Sequence, residues 1–297
     1  MFKSGFIAII GEPNVGKSTL LNQLMQRKVA IVSDKPQTTR NVFSGIYNDE
    51  DSQMIFMDTP GIHKAKTKLG DYMTRSALNT IKAVDLVLFL VNAYDDVKDR
   101  NMAILQQLKG IETPVFLVAN KIDAIKDFRR LKEALDPYKE QFDFKGVFGI
   151  SALRGDNVNH LLEDIKAELS EGPQFYMDGE ISDRPDTFLF QEFIREKILE
   201  LTKEEVPHSV MVMIDQVKHK KKLTEIIASI IVERNSQKGI IIGKGGSMLK
   251  EIGTLARADI ENLLGRQVFL ELFVKVEADW RNREYYLKDY GYKAEKE

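Results

Sequence analysis

The chain has 297 residues, 43% of them hydrophobic and 30% charged, with a formal net charge of −2 at pH 7 and no cysteine. This composition suits a folded globular protein with room for more than one core. It excludes bulk electrostatic coating of nucleic acid, disulfides, thiolate metal sites and cysteine nucleophiles, and it fits a reducing cytoplasm. The longest apolar run, 84–91, is interrupted by Asp85 and is far too short to cross a bilayer; the first residues lead straight into a predicted core strand, so no signal peptide is expected.

In chain order, the apolar run 6–10 predicts a buried strand that breaks into Gly11-Glu-Pro-Asn-Val-Gly-Lys-Ser18, the pattern Gly-x-x-x-x-Gly-Lys-Ser. Gly11 and Gly16 let the chain bend so that successive backbone N–H groups face a polyphosphate, with Glu12, Pro13, Asn14 and Val15 forming the rest of the loop. Lys17 is expected to reach the β- and γ-phosphates, Ser18 to ligate magnesium, and the helix predicted over 18–25 to add its positive dipole end. The alternating run 41–47 predicts an edge strand in a hairpin with 53–57. That second strand ends in Asp58, Thr59, Pro60 and Gly61, where a carboxylate can hold a magnesium-bound water and the Gly61 N–H can approach a γ-phosphate.

Helix and strand signals then alternate: helices over 68–81, 102–108, 127–138 and 158–169, strands over 85–91, 115–119 and 147–150. Such alternation predicts an α/β domain with a mostly parallel, six-stranded sheet, in which ligands gather at the carboxyl ends of the strands. Strand 115–119 ends in Asn120, Lys121, Ile122 and Asp123. Guanine presents N1–H and N2–H as adjacent donors that one carboxylate, Asp123, can accept together. Asn120 would address the other base edge and the Lys121 stem would cover the ring. Adenine lacks those donors, so ATP would leave the carboxylate unpaired at a cost of about 1–3 kcal/mol. Strand 147–150 ends in Ser151, Ala152 and Leu153, where the Ala152 N–H is expected to reach guanine O6.

Periodicity lapses over the Gly- and Pro-containing stretch 171–187, read as a linker between a first domain over 1–170 and a second over 188–280, with a tail over 281–297 expected to pack against the second domain. The second domain reads as helix (187–202), two strands (210–217 and 224–233) around a Lys-rich turn, helix (247–264) and strand (267–276). Before the last helix stands Gly239-Ile-Ile-Ile-Gly-Lys-Gly-Gly246. Between Lys218 and Arg257 lie nine basic residues against three acidic ones, which points to an anionic partner.

The ordered set of phosphate loop, switch threonine, Asp-x-x-Gly, Asn-Lys-x-Asp and Ser-Ala resembles the translation-factor-like GTPases over residues 1–170. That resemblance implies GTP and GDP as ligands, with Ser18, Asp58 and a switch threonine on magnesium. By similarity to bacterial GTPases that carry Thr-Thr-Arg, Thr39 is favoured over Thr38. Ile62 stands where Ras-like enzymes place a water-orienting Gln, so slow intrinsic hydrolysis is expected. Asn14 resembles the Asn of GTPases in which potassium supplies positive charge; the catalytic set then reads Lys17, Thr39, Gly61 and Asn14. Arg40, Lys64 and Lys66 are expected on a solvated switch surface.

Gly243, Lys244, Gly245 and Gly246 resemble the Gly-x-x-Gly loop of KH domains, here of the type II, α+β kind. Two glycines let the chain turn against a nucleic-acid backbone, and N–H groups ahead of a helix meet phosphate. Ile240, Ile241 and Ile242 would form an apolar floor for single-stranded bases, and Lys218, Lys220, Lys221 and Lys222 would add phosphate contacts. A GTPase domain followed by a KH domain closely resembles the Era family of bacterial GTPases over nearly the full chain. The resemblance implies binding to the 3′ end of 16S rRNA, a role in maturing the small (30S) ribosomal subunit, and peripheral association of a cytoplasmic protein with the inner membrane. A monomer is expected. Two other readings stay open at the level of residues: a P-loop phosphoryl transferase, and an RNA-binding protein with a structural nucleotide only.

Overall fold

The computed structural model describes residues 1–297 except 36, 63, 64, 66, 95–97 and 293–297. It divides into two compact units. The second takes Ile31–Thr38, Thr67–Leu69 and the chain from Arg184 on; the first takes the rest.

In the first unit, runs of β-branched and aromatic residues form β1 (Lys3–Gly11), β2 (Phe43–Asn48), β3 (Ser52–Asp58), β4 (Leu86–Asn92), β5 (Val115–Asn120) and β6 (Gly146–Ile150). They lie in the order β2-β3-β1-β4-β5-β6. β2 runs antiparallel to β3, as its alternation predicts, and the other pairs are parallel. Parallel strands are joined by crossover helices, here α1 (Lys17–Met25), α2 (Lys68–Ile81), α3 (Lys98–Gln107), α4 (Phe128–Lys139) and α5 (Val158–Glu168). The inner strands β1, β3, β4 and β5 are buried almost end to end, as covered parallel strands are, and Leu86, Val87, Leu88, Phe89 and Leu90 are all fully buried. Each such side chain contributes roughly 1.5–3 kcal/mol by leaving water.

The register pairs Ile9 with Asp58, Gly11 with Leu90, Asn92 with Asn120, and Asn120 with Ile150. The carboxyl ends of β1, β3, β4, β5 and β6 therefore form one row.

The aperiodic stretch after α5 is not a free tether. Up to Asp183 it straps onto the first unit: Phe175 lies 5.0 Å from the Phe6 ring, and Gln53 Oε1 accepts the N–H groups of Phe175 (2.7 Å) and Tyr176 (3.0 Å). Gly45 bridges to Ser182, and the Ser44 N–H donates to Asp183 at 2.7 Å. Its attachments run through side chains and isolated backbone bonds, which leave no period in the sequence.

The second unit contains α6 (Asp186–Leu201), α7 (Val206–Ser209), β7 (Met211–His219), β8 (Leu223–Val232), α8 (Asn235–Ile242), α9 (Ser247–Leu264), β9 (Gln267–Val276) and α10 (Glu284–Asp289). Its sheet has the order β7-β8-β9, antiparallel then parallel. Ile194 and Ile198 of α6 pack with Val212, Ala228, Ile230, Ile252 and Ala256 in one apolar cluster. Helix α8 is absent from the sequence-based reading, because Gly239 and three successive isoleucines argue against helix on intrinsic preference. Tertiary packing overrides that preference: Gln237 Oε1 caps the start by accepting the N–H groups of Glu233 (2.9 Å) and Arg234 (3.0 Å), and Ile241 enters the core. As far as Tyr292, the tail packs against the second unit. Trp280 is fully buried, its indole N–H donates to the Ser209 carbonyl at 2.8 Å, and Tyr292 stacks on it.

Candidate functional site

At the end of β1 the chain turns through the phosphate-loop sequence and enters α1. Gly16 adopts φ 99°, and a Cβ there would stand 2.2 Å from Asn120 Nδ2, so glycine is required on both counts. Asn14 also has a positive φ, 65°, a conformation asparagine tolerates better than most residues. Lys17 is buried against the loop, its Nζ donating to the carbonyls of Gly11 (3.2 Å) and Glu12 (2.9 Å). Burial pulls its pKa down to about 8, against the raising influence of Asp58 and Glu12. Pro13 touches Gly61, and Val15 is buried.

Three hard oxygen donors far apart in sequence, on Ser18, Thr39 and Asp58, converge. Ser18 Oγ donates to Asp58 Oδ2 at 2.8 Å, Thr39 Oγ1 donates to the same oxygen at 3.0 Å, and the two hydroxyls lie 3.0 Å apart. Two hydroxyls and a carboxylate, completed by phosphate and water, suit magnesium. Thr38 is turned elsewhere, its hydroxyl donating to the Lys35 carbonyl at 2.6 Å. Thr59 is buried and donates to the Ile9 carbonyl (2.8 Å), and the Ile62 N–H donates to Gly11 O (3.3 Å), so the turn through Pro60 and Gly61 is tied to β1. The Ile62 side chain packs against the apolar cluster of the sheet. Arg40, expected in solvent, is only 2% exposed; Lys64 and Lys66 lie outside the described residues.

On the base side, Ser151 Oγ donates to Asp123 Oδ1 at 2.6 Å and so orients that carboxylate. Lys121, at φ 69°, reaches back so that Nζ donates to the Asn14 carbonyl at 2.8 Å. Asn120 makes two side-chain contacts within the protein. Its amide nitrogen donates to the Val15 carbonyl (2.7 Å) and its oxygen accepts the Ala152 N–H (2.9 Å), the donor expected to reach guanine O6. The physical reason is burial: Asn120 and Ala152 are each 2% exposed, where unpaired polar groups are costly. Asn120 thus staples the phosphate loop to the Ser151–Leu153 turn. Ile122 is nearly buried beneath that site, while Leu153 projects into solvent.

In the second unit, Gly243, Gly245 and Gly246 all have positive φ between α8 and α9. A Cβ on Gly243 would lie 2.7 Å from Met248 Cβ, so the first turn of α9 can close only against glycine. Lys244 and Ile240 are exposed, but Ile241 is a core residue with no exposure and Ile242 is half-buried, because they lie on a helix and not in an extended floor. Below the loop, α9 and β9 bound a groove of about 430 Å³ whose lining includes Gly246, Lys250, Gly253, Arg257, Phe269 and Leu272. The sequence showed Lys250 and Arg257 only as part of a basic region; the helical spacing of 250, 253, 254 and 257 was the available signal that they share a face. Lys218, Lys221 and Lys222 are exposed, and Lys220 pairs with Glu225.

The family of 50S ribosome-binding GTPases matches residues 6–121, and the KH domain family matches residues 205–281. A solved structure of Era in complex with MgGDPNP and nucleotides 1506–1542 of 16S ribosomal RNA aligns with 41% identity and a TM-score of 0.95, over 99% of this chain and 100% of that one. The chain belongs to the Era family of GTPases. A variant of Aquifex aeolicus Era bound to GDP and aluminium fluoride aligns equally well, with 41% identity, a TM-score of 0.95 and the same coverage. This Era-family chain therefore carries a P-loop GTPase domain followed by a KH domain.

Because Asn120 ties loop to turn, Asn120→Ala is expected to lower stability by about 1–3 kcal/mol. It is also expected to weaken GDP and GTP binding alike. Denaturant unfolding and nucleotide titration of the same preparation check both, and unchanged stability would remove the staple.

Proposed function

We propose that this protein is a magnesium-dependent GTP hydrolase that binds the 3′ end of 16S rRNA through its KH domain and acts in maturation of the 30S subunit. The carrying observation is the convergence of Lys17, Ser18, Thr39 and Asp58 at the same row of strand ends that presents Asp123. A polyphosphate and a guanine base separated by a ribose need such a row. Lys17 would hold the β- and γ-phosphates, with the N–H groups of the loop and of α1 facing the same oxygens. When bound to Ser18, Thr39 and Asp58, magnesium neutralises charge on the β- and γ-oxygens. The Gly61 N–H would meet the γ-phosphate, with Thr59 and the Ile62 N–H fixing its position. Asp123, oriented by Ser151, would accept both guanine donors. Ile62 is aliphatic and cannot orient the attacking water, so turnover depends on charge supplied from elsewhere. We assign that role to potassium held at Asn14, whose left-handed backbone sits at the exposed lip of the loop.

The RNA reading rests on the glycine loop, the groove beneath it and its two cations. Lys244 and the N–H groups before α9 suit phosphate, and Phe269 offers a ring face to an unstacked base. The RNA bound in the Era structure supplies the sequence to test. Among the described residues no helix is long and apolar enough to cross a membrane. Peripheral attachment of a cytoplasmic protein to the inner membrane is part of this reading by family resemblance, and a monomeric state is proposed with it.

Three outcomes are expected. Asp123→Ala should erase the preference for GTP over ATP in calorimetry, a loss of at least about tenfold; a preserved preference would reject the guanine assignment. A fluorescent RNA of the 16S 3′ end should bind more tightly than a scrambled one. Lys250→Glu combined with Arg257→Glu should weaken that binding by at least about tenfold and flatten its salt dependence; equal affinity for both RNAs would count against the ribosomal assignment. Hydrolysis should run faster in KCl than in NaCl, and Asn14→Ala should remove the difference; equal wild-type rates in the two salts would dismiss potassium.

A further inference from the structure

The switch threonine stands at one end of a short loop that the first unit closes upon itself. Thr39 Oγ1 donates to Asp58 Oδ2, and further along the chain Phe43 is the register partner of the same Asp58, where β2 meets β3. Both ends of the stretch 39–43 thus rest on one residue. The Phe43 end has little freedom. Its side chain is buried, and the strap holds β2 from the outer edge: the Ser44 N–H donates to Asp183, and the Ile46 N–H donates to the Ile181 carbonyl at 3.1 Å. The Thr39 end is held differently, through a side-chain hydroxyl that meets Asp58 and Ser18.

Between those ends stands Asn41, and α2 reaches it. The Tyr72 hydroxyl donates to Asn41 Oδ1 at 3.1 Å, with both side chains half-buried. Tyr72 is well placed to serve as a fixed post. It lies in the second turn of α2, whose Met73 and Ala77 are fully buried, so the core sets the helix and the helix sets the ring. A tyrosine has few side-chain torsions to order, so little entropy is lost in holding its hydroxyl at one point. Peptide planarity in turn leaves few torsions between the Asn41 and Thr39 Cα atoms. In the chain, α2 is the helix that follows the turn through Gly61. The bond therefore also ties together the two stretches that a γ-phosphate would meet.

We infer that Tyr72 is a positioning residue for the nucleotide site: by holding Asn41 it keeps the loop 39–43 in the form that presents the Thr39 hydroxyl to the magnesium and γ-phosphate of GTP. The inference rests on the proposal that Thr39 is the switch ligand. Its signature is selective, because GDP has no γ-phosphate for a presented Thr39 to meet. Removing the Tyr72 hydroxyl raises the cost of ordering Thr39, which the triphosphate state alone requires.

The test is calorimetry on the full chain with GDP and with a non-hydrolysable GTP analogue, both in saturating magnesium. Tyr72→Phe removes the hydroxyl alone and leaves the ring in place, Asn41→Ala removes its partner, and a third variant carries both changes. Each single variant is expected to bind the analogue about fivefold more weakly, with GDP affinity held within about twofold. The combined variant should lose no more than either single one, as the two halves of one interaction do. GDP affinity reports that each variant is folded, and Tyr72→Phe carries the test alone if Asn41→Ala does not fold. Thr39→Ala runs alongside. If Thr39→Ala loses analogue affinity while Tyr72→Phe keeps it, if Tyr72→Phe weakens GDP equally, or if the two single losses multiply in the combined variant, the positioning role is overturned. If Thr39→Ala leaves analogue affinity intact, the switch assignment itself fails, and the inference with it.

Discussion

Strand register is the constraint on which the rest of this structure depends. Because β1 pairs in parallel with both β3 and β4, and β5 with both β4 and β6, five chain segments far apart in sequence end side by side. A slip of one residue at β1–β3 would move Asp58 away from Ser18 and turn every buried side chain of that strand toward the opposite face. The near-complete burial of the strands is what forbids the slip. The chemistry of the site is thus held by hydrocarbon that takes no part in it, and the polar groups at the strand ends can be few because each is delivered to a fixed place.

Within that frame the candidate site is economical with connections. Asp58 gathers two hydroxyls on one oxygen, Asn120 joins the phosphate loop to the Ser151 turn, and Lys121 closes the same loop from its other side. Each contact links segments delivered by different strands, so the phosphate and base ends are braced against each other. At Asp58 and Asn120, which are buried, these polar contacts are obligatory, since water is not at hand to replace them.

Much of this was legible in the sequence, for identifiable reasons. Gly16, Lys17, Asp58 and Asp123 are set by local spacing after apolar runs, and the sheet follows from helix–strand alternation. The predicted bounds of α2, α9 and β9 agree with those observed, since their hydrophobic periods are unbroken. What escaped depends on partners distant in sequence. Helix α8 reads poorly because Gly239 and the isoleucines oppose it locally, and only the core seat of Ile241 and the Gln237 cap decide the matter. The inward turn of Asn120 could not be read from Asn-Lys-x-Asp, because its partners, Val15 and Ala152, lie 105 and 32 residues away. Arg195 and Glu196 read as part of an ordinary amphipathic helix, and nothing nearby marks them as buried. The strap over 171–183 has no period at all.

The split membership of the second unit has a consequence for biosynthesis. Ile31–Thr38 leaves the ribosome long before α6, yet its main-chain partners are Arg195 and Glu196 of that helix. A nascent first unit can close its sheet while this loop still lacks the groups that fix it. A fragment beginning after residue 183 would leave a guanidinium and a carboxylate of α6 without the carbonyl of Thr38 and the amide of Val32 that they meet in the full chain.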